Sequence, residues 1–192
     1  MTAVSNEALA ELIEPGAVVL IGEVHGTCEF PQLVGRLVEL AADRGVPVLV
    51  GLEMPISEQP IDGFLAGEGG PGDVEALTAS SFWHRPPEFD DGRAGAGPID
   101  LFTTARRAAS GGTVRVFAFD LPGGVVGTIA TPEVAAMLNT PRDQFMAETA
   151  VAAIEDWSAR QGPGIAVLLA GSLHSRIVRY PEIDEPHLGE LL

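Results

Sequence analysis

Four short apolar segments, each closed by an ionisable residue, constrain the fold of this chain most strongly. They are AVVLI, VPVLVGLEM, TVRVFAFD and GIAVLLAG, at 17–21, 46–54, 113–120 and 164–171. Each is rich in Val, Ile or Leu and is separated from the next by residues with helical spacing, a pattern typical of buried parallel strands. We therefore predict an α/β fold with a central, mainly parallel sheet of about four or more strands flanked by helices.

The intervening residues predict the helices. Apolar residues recur at helical spacing in segments 5–14, 29–44, 98–110 and 141–160, and a shorter helix is expected near 132–138. Ser5 is an expected N-cap, and Thr140, Pro141 and Asp143 predict a capping-box start with proline in the first turn. The tail, 176–192, shows no clear pattern of either helix or strand. We predict a single domain over 1–192 with an irregular or helical insertion around 56–98.

The residues that follow the four strands predict a functional site. Ligands of parallel sheets bind at the carboxyl ends of the strands. The ionisable residues at those ends are Glu23 and His25, then Glu53, Asp120 and His174. Glu53 carries most weight because it lies between two apolar residues, where an unpaired carboxylate is costly. Asp120 has the alternative role of opening a turn before Leu-Pro-Gly-Gly.

Arg142 provides an independent argument for the same site. It lies four residues before Met146 and therefore shares the inward, apolar face of the predicted helix. A cation in the first turn opposes the helix dipole, so an inward arginine there needs an anionic partner. That partner is either a ligand group or a site carboxylate such as Glu53 or Glu23, in an ion pair that orders the structure.

The segment SSFWHRPPEFDDGR, from Ser80 to Arg93, has two interpretations. Its aromatic residues either wall a pocket or anchor a loop. On the first interpretation Trp83, His84 and Arg93 contact substrate, and Ser172, beside the last strand, is a further candidate substrate contact. His187 lies in the polar tail and receives no functional role.

The charge balance restricts the partners. The net charge is −16, which disfavours nucleic acid and anionic membranes, and all 11 basic residues are arginine, which removes Schiff-base chemistry. The one cysteine, Cys28, is expected to be a small buried residue at the start of a helix. With no signal-peptide pattern, we expect a cytoplasmic protein that acts on a small molecule, with a homodimer as a possibility.

Five stretches together resemble the erythromycin esterase / ChaN / Tiki superfamily. They are GEVHGTCEF, GLEMPISEQPIDGFLAG, the FW…DGR segment, PRDQFMA and AGSLHS, and they extend from about residue 17 to residue 175. GEVH and LEM with the DGFLAG stretch are similar to the ChaN-like haem-uptake branch, whereas HGTCEF is similar to the esterase branch. The order and spacing of these motifs carry the resemblance.

The resemblance implies an α/β core and a site at the matching positions, which are Glu23, His25, Glu53, His174 and Arg142. In the esterase branch a histidine-activated water opens a macrolide lactone. The Tiki branch is linked to metal-dependent proteolysis, and the ChaN branch to haem or iron binding at a bacterial membrane. The chain is shorter than typical members, and Tyr180 is its only tyrosine, so haem ligation by tyrosinate could come only from the tail.

Several functions stay open at this point. The first is acid–base hydrolysis of an ester or lactone, or a related elimination or cyclisation, with His25 as base and His174 as acid, and no cofactor. The second is a metal-dependent hydrolase whose divalent ion is held by His25, Glu53, His174 and Glu23. The third is a haem- or iron-binding protein without catalysis. A structural partner protein fits the acidic surface but leaves the converging residues unexplained.

Overall fold

Four strands form one parallel sheet. A computed structural model describes residues 4–57, 60–87, 90–109, 112–122, 141–178 and 184–192. The strands are β1 (Val18–Glu23), β2 (Val48–Pro55), β3 (Val114–Asp120) and β4 (Ile165–Gly171). Their order is β1-β4-β2-β3, and every pairing is parallel. The predicted α/β fold with a parallel central sheet is confirmed.

Seven helices surround the sheet in the described part of the chain. They are α1 (Asn6–Ala10), α2 (Glu29–Asp43), α3 (Pro60–Ala66), α4 (Pro71–Leu77), α5 (Ala96–Ala108), α6 (Arg142–Gln161) and α7 (Leu188–Leu191). The Ser5 hydroxyl caps α1 by accepting a hydrogen bond from the Ala8 amide at 3.2 Å, as predicted. The predicted helix near 132–138 lies outside the described residues. None of the described helices has the length and apolarity needed to cross a bilayer.

The sheet buries both of its faces, which explains the apolar strands. One face packs against α2 and α5 in the larger core, around Val34, Leu37, Leu101 and Phe102. The other face packs against α6 and α7 in a smaller core that contains Phe119, Met146, Leu168 and Leu188. Every residue of β2 is buried, as expected for a strand with neighbours on both sides and helices on both faces.

The strand register brings the acidic strand ends together. Glu23 of β1 pairs with Gly171 of β4, and Pro55 of β2 pairs with Asp120 of β3 after an irregularity that begins at Leu52. The strands are parallel, so these ends lie at one edge of the sheet. The first residue of α6, Arg142, also reaches this edge, where it contacts Glu53 and Asp120.

Two local predictions are wrong. Pro141 is the N-cap of α6 rather than its first helical residue, so no proline lies in the first turn. Cys28 is exposed rather than buried, although it does precede α2. Gly22 lies within β1, and the chain turns after the strand at Gly26, which has a φ of 80°.

Two glycines test the packing of the sheet. A Cβ at Gly51 in β2 would lie 2.5 Å from Leu168 Cδ2 and 2.9 Å from the Phe117 ring. We expect Gly51→Ala to lower the free energy of unfolding by about 1–3 kcal/mol, because overpacking a buried strand forces its neighbours to move. Gly63→Ala in α3 is the control, since nothing lies within 4 Å of its Cβ position. Urea denaturation measures both, and equal effects would contradict this account of the sheet.

Candidate functional site

A buried carboxylate, Glu53, forms the centre of the polar cluster at this edge. Its side chain is only 2% exposed. Oε1 accepts hydrogen bonds from Arg93 Nη1 at 2.8 Å and Arg142 Nη2 at 2.6 Å, and Oε2 accepts one from the Gly171 amide at 2.6 Å. Both oxygens are thus held by donors from three separate segments, which compensates the cost of burying the charge.

Arg142 joins Glu53 to Asp120. Its Nε and Nη2 donate to the two Asp120 oxygens at 2.8 and 2.7 Å, a bidentate pair. The hydrogen bonds with Asp120 raise the pKa of Arg142. Burial acts to raise the pKa of the Asp120 carboxyl, but the bonds and charge of Arg142 outweigh it, so that this pKa is lowered. Of the two kinds of partner that the sequence left open for Arg142, the described contacts are with carboxylates, Glu53 and Asp120.

Arg93 supports the same carboxylate from the loop before α5. Nη1 donates to both Oε1 and the backbone oxygen of Glu53 at 2.8 Å, while Nε and Nη2 donate to Asp91 Oδ2 at 2.9 and 2.6 Å. Burial opposes ionisation of Asp91, yet the Arg93 bonds lower its pKa to about 2. Arg93 is therefore a partner of Glu53, and no pattern in the sequence pointed to Asp91.

The His25 ring is oriented by Glu23. Nδ1 lies 2.8 Å from Glu23 Oε1, and a carboxylate accepts, so the hydrogen bond assigns the proton to Nδ1. Nε2 lies 3.9 Å from Glu53 Oε1. A Cβ at Gly171 would lie 3.0 Å from the same nitrogen, so glycine at this position leaves room for the ring.

The His174 ring is oriented in the same way by Asp143. Nδ1 lies 2.6 Å from Asp143 Oδ1, and Nε2 lies 3.2 Å from Arg142 Nη1. A guanidinium can only donate, so Nε2 accepts and the proton is on Nδ1. Nε2 is also 3.9 Å from Glu53 Oε1.

The two imidazoles therefore lie near the same oxygen of Glu53. Each Nε2 lies 3.9 Å from Glu53 Oε1, so the two nitrogens are separated by no more than twice that distance. Each Nδ1 is held by a carboxylate, an arrangement that fixes the tautomer and stabilises the imidazolium form. The Nε2 atoms of both imidazoles and the Arg142 guanidinium thus lie near the same Glu53 oxygen.

Asp143 is the main residue that the sequence analysis missed. It was interpreted as a capping acid, but its carboxylate instead bonds to His174 and to the Leu188 amide, at 3.0 Å. Burial acts to raise the pKa of Asp143, but the hydrogen bond and the charge of His174 outweigh it, so this pKa is lowered. His187, which received no role, is buried with Nδ1 3.6 Å from Asp143 Oδ2. The one sequence feature that could have pointed to Asp143 is its position next to the inward-facing Arg142.

The remaining candidates lie outside this cluster. Trp83 packs edge-to-face against Phe82 and Phe102, on the larger core. His84 and Ser172 are exposed. Phe89 and Tyr180 lie outside the described residues. The interpretation of the aromatic residues as loop anchors therefore fits Trp83 better than a pocket wall.

The donor set does not fit a divalent metal ion. Both Glu53 oxygens accept protein hydrogen bonds, two of them from the guanidinium groups of Arg93 and Arg142, and Glu23 Oε1 is bonded to His25. Within the described ranges, no group of three or more His, Cys, Asp or Glu residues is arranged to hold a metal. The carboxylates of the cluster are instead paired with arginines: Glu53 with Arg93 and Arg142, and Asp120 with Arg142.

The comparisons with known proteins give a shared fold. No protein-family model and no curated protein matches the sequence. A structure described as bacterial protein toxins aligns over all of this chain at 20% identity with a TM-score of 0.59. The toxin effector domain RRSP of Vibrio vulnificus aligns over 89% of it at 21% identity with a TM-score of 0.53. ChaN of Campylobacter jejuni, described as binding haem cofacially, aligns over 89% of this chain at 14% identity with a TM-score of 0.48.

These similarities extend to the fold alone. The chain spans 35% of the first toxin structure and 30% of the RRSP structure, so it corresponds to one part of each. The motif resemblance to the erythromycin esterase / ChaN / Tiki superfamily predicted an α/β core. The α/β core predicted from that resemblance is present here, while the activities of the larger proteins are not carried over.

Removing the Glu53 charge should destabilise the whole edge. We expect Glu53→Gln to lower the free energy of unfolding by about 3–5 kcal/mol, because Arg93 and Arg142 would lose their shared buried partner. Glu39→Gln is the control, since that side chain is 53% exposed and lies 3.5 Å from Arg107; we expect a change below about 0.5 kcal/mol. Urea denaturation distinguishes the two. A small loss with Glu53→Gln would contradict a central role for this carboxylate.

The lowered carboxyl pKa values predict acid lability. Asp91 titrates near 2 in the folded state rather than at 3.8, and the pKa values of Asp120 and Asp143 are also lowered. The unfolded chain therefore binds more protons in this range, so the stabilisation present above about pH 4 is lost as the pH falls toward 2. Asp91→Asn should flatten the fall in unfolding free energy between about pH 4 and pH 2, measured by urea titration. If the unfolding free energy of Asp91→Asn fell with pH as steeply as that of the wild type, the lowered pKa of Asp91 would be contradicted.

Proposed function

We propose that this chain is an acid–base hydrolase that acts on an ester or lactone of a small molecule. The observation that carries the proposal is the pair of imidazoles, each fixed at Nδ1 by a carboxylate and each presenting Nε2 toward Glu53 Oε1 at 3.9 Å. Two bases aimed at one small volume beside a guanidinium suit proton transfer to and from a bound reactant. The motif resemblance to the esterase branch supports the same class of chemistry.

His25 is the general base. Nδ1 donates to Glu23, and Nε2 has no hydrogen-bond donor among the described contacts, whereas the Nε2 of His174 accepts one from Arg142. His25 Nε2 takes a proton from water as the water oxygen attacks the carbonyl carbon. The tetrahedral intermediate then collapses with cleavage of the bond from carbon to the alcohol oxygen, and the same nitrogen returns the proton to that oxygen. Glu23 stabilises the imidazolium formed between the two steps.

Arg142 stabilises the negative charge on the carbonyl oxygen. Its side chain is 38% exposed, and Nη1 is the terminal nitrogen that neither Glu53 nor Asp120 occupies in the described contacts. A pre-aligned cationic donor is more effective here than water, because it needs no reorganisation as charge develops. His174 Nε2 holds Nη1 at 3.2 Å, so we assign His174 to orienting this donor and His25 to moving the proton.

The chain itself supplies the base, the donor and their supports. We therefore propose that hydrolysis needs no resident cofactor. The buried carboxylates Glu53, Asp120 and Asp143 act through the groups they hold: Glu53 and Asp120 position Arg142, and Asp143 positions His174. The net negative charge of the chain favours neutral substrates over anionic ones.

Loss of the His25 base tests the proposal. We expect His25→Asn to lower kcat/KM for a chromogenic ester, or for a lactone followed by acid release, by about 10²–10⁴-fold. The asparagine amide can still donate to Glu23 from the position of Nδ1, so the change removes Nε2 in particular. Steady-state kinetics measure the effect, and unfolding midpoints verify that the variant is folded.

A surface arginine provides the matched control for the oxyanion donor. Arg142→Gln should lower kcat by about 10²-fold or more, while Arg107→Gln, an exposed position on α5 whose side chain is 63% accessible, should leave kcat unchanged. A wild-type chain that hydrolyses no ester or lactone of a broad panel would overturn the proposed function. So would full activity in His25→Asn.

A further inference from the structure

The short segment His187–Gly189 contacts both members of the Asp143–His174 pair. The Leu188 amide donates to Asp143 Oδ2 at 3.0 Å, and the Gly189 amide donates to the His174 backbone oxygen at 3.0 Å. One stretch of backbone thus holds the carboxylate of one residue and the main chain of the other. This is the part of the tail for which the sequence predicted no structure.

Packing fixes this segment in place. The Leu188 side chain is completely buried in the smaller core, with Met146 and Ala170. Gly189 lies so close to the loop after β4 that a Cβ there would come 2.7 Å from the Ser175 oxygen and 2.6 Å from the Arg176 oxygen. The segment can hold this position only with a glycine at 189.

The contacts leave the Asp143 carboxylate little freedom. Oδ1 accepts from His174 Nδ1 and Oδ2 accepts from the Leu188 amide, so rotation of the carboxylate would break one bond or the other. The titratable groups around it are His174 and His187, the latter at 3.6 Å. Since His174 Nε2 in turn contacts Arg142, a fixed carboxylate fixes the direction of the oxyanion donor.

We propose that His187–Gly189 is a positioning segment of the hydrolytic site, which acts through Asp143 and His174 on Arg142. The inference rests on the proposed function, because it assigns the segment to that reaction. The segment touches no reacting atom. Its contribution is to kcat, through the alignment of groups that do.

A proline at position 188 removes the amide that donates to Asp143. Leu188 is the first residue of α7, where proline is tolerated because its fixed φ suits the position, and His187 before it already has an extended backbone with ψ of 158°. Leu188→Pro therefore deletes the donor to Asp143 without breaking the helix. Leu188→Ala is the matched control, since it removes the buried side chain and keeps the amide.

We expect kcat for the ester to fall about tenfold further in Leu188→Pro than in Leu188→Ala, with similar KM, because a hydrogen bond to a charged group is lost. A second readout does not depend on turnover. The Nδ1 proton of His174, assigned in ¹H NMR spectra by its loss in His174→Ala, should shift in Leu188→Pro and stay in place in Leu188→Ala. Equal kcat values and equal proton shifts in the two variants would overturn the inference.

Gly189→Ala decides the matter if Leu188→Pro does not fold. The added Cβ should displace the segment, move the His174 Nδ1 resonance and lower kcat at unchanged KM; an unmoved resonance and an unchanged kcat would overturn the inference. Gly63→Ala is the control. The two claims fail separately: an inactive wild-type chain overturns the proposed function, while the NMR comparison still judges the positioning segment.

Discussion

The burial of one carboxylate determines how this edge of the sheet is built. A buried, ionised Glu53 is tolerable only if several donors converge on it, since the cost of removing a charge from water is several kcal/mol. Those donors come from the loop before α5, the first residue of α6 and the last residue of β4, through Arg93, Arg142 and the Gly171 amide. Each of these segments must therefore reach the same point for the chain to fold.

The same requirement gives the two histidines their geometry. The donors of Glu53 are all supplied by arginine and backbone, so neither imidazole has to pair with it, and both Nε2 atoms remain 3.9 Å away. Their Nδ1 atoms are held by Glu23 and Asp143 instead. The carboxylates and arginines thus compensate one another within the cluster. Among the described contacts, His25 Nε2 has no hydrogen-bond donor, and His174 Nε2 accepts from Arg142.

Part of this arrangement was predictable from the sequence, and the physical reasons differ from residue to residue. Alternation of apolar strands and helices identified the parallel sheet, and parallel strands necessarily gather Glu23, Glu53, Asp120 and His174 at one edge. Arg142 was found because the helix period placed it on an inward face. Asp143 was missed because an acid in the first turn of a helix has an ordinary capping role. Arg93 and Asp91 lie in a loop without periodicity, and the strand order depends on long-range pairing.

The account predicts a definite protonation pattern for the two imidazoles, and ¹⁵N NMR of the histidine rings at neutral pH tests it most directly. We predict that the neutral rings of His25 and His174 both carry their proton on Nδ1 and leave Nε2 bare. Asparagine substitutions at each position would assign the signals. A proton on Nε2 of either neutral ring would contradict the assigned hydrogen bonds, and with them the claim that this edge presents two oriented bases.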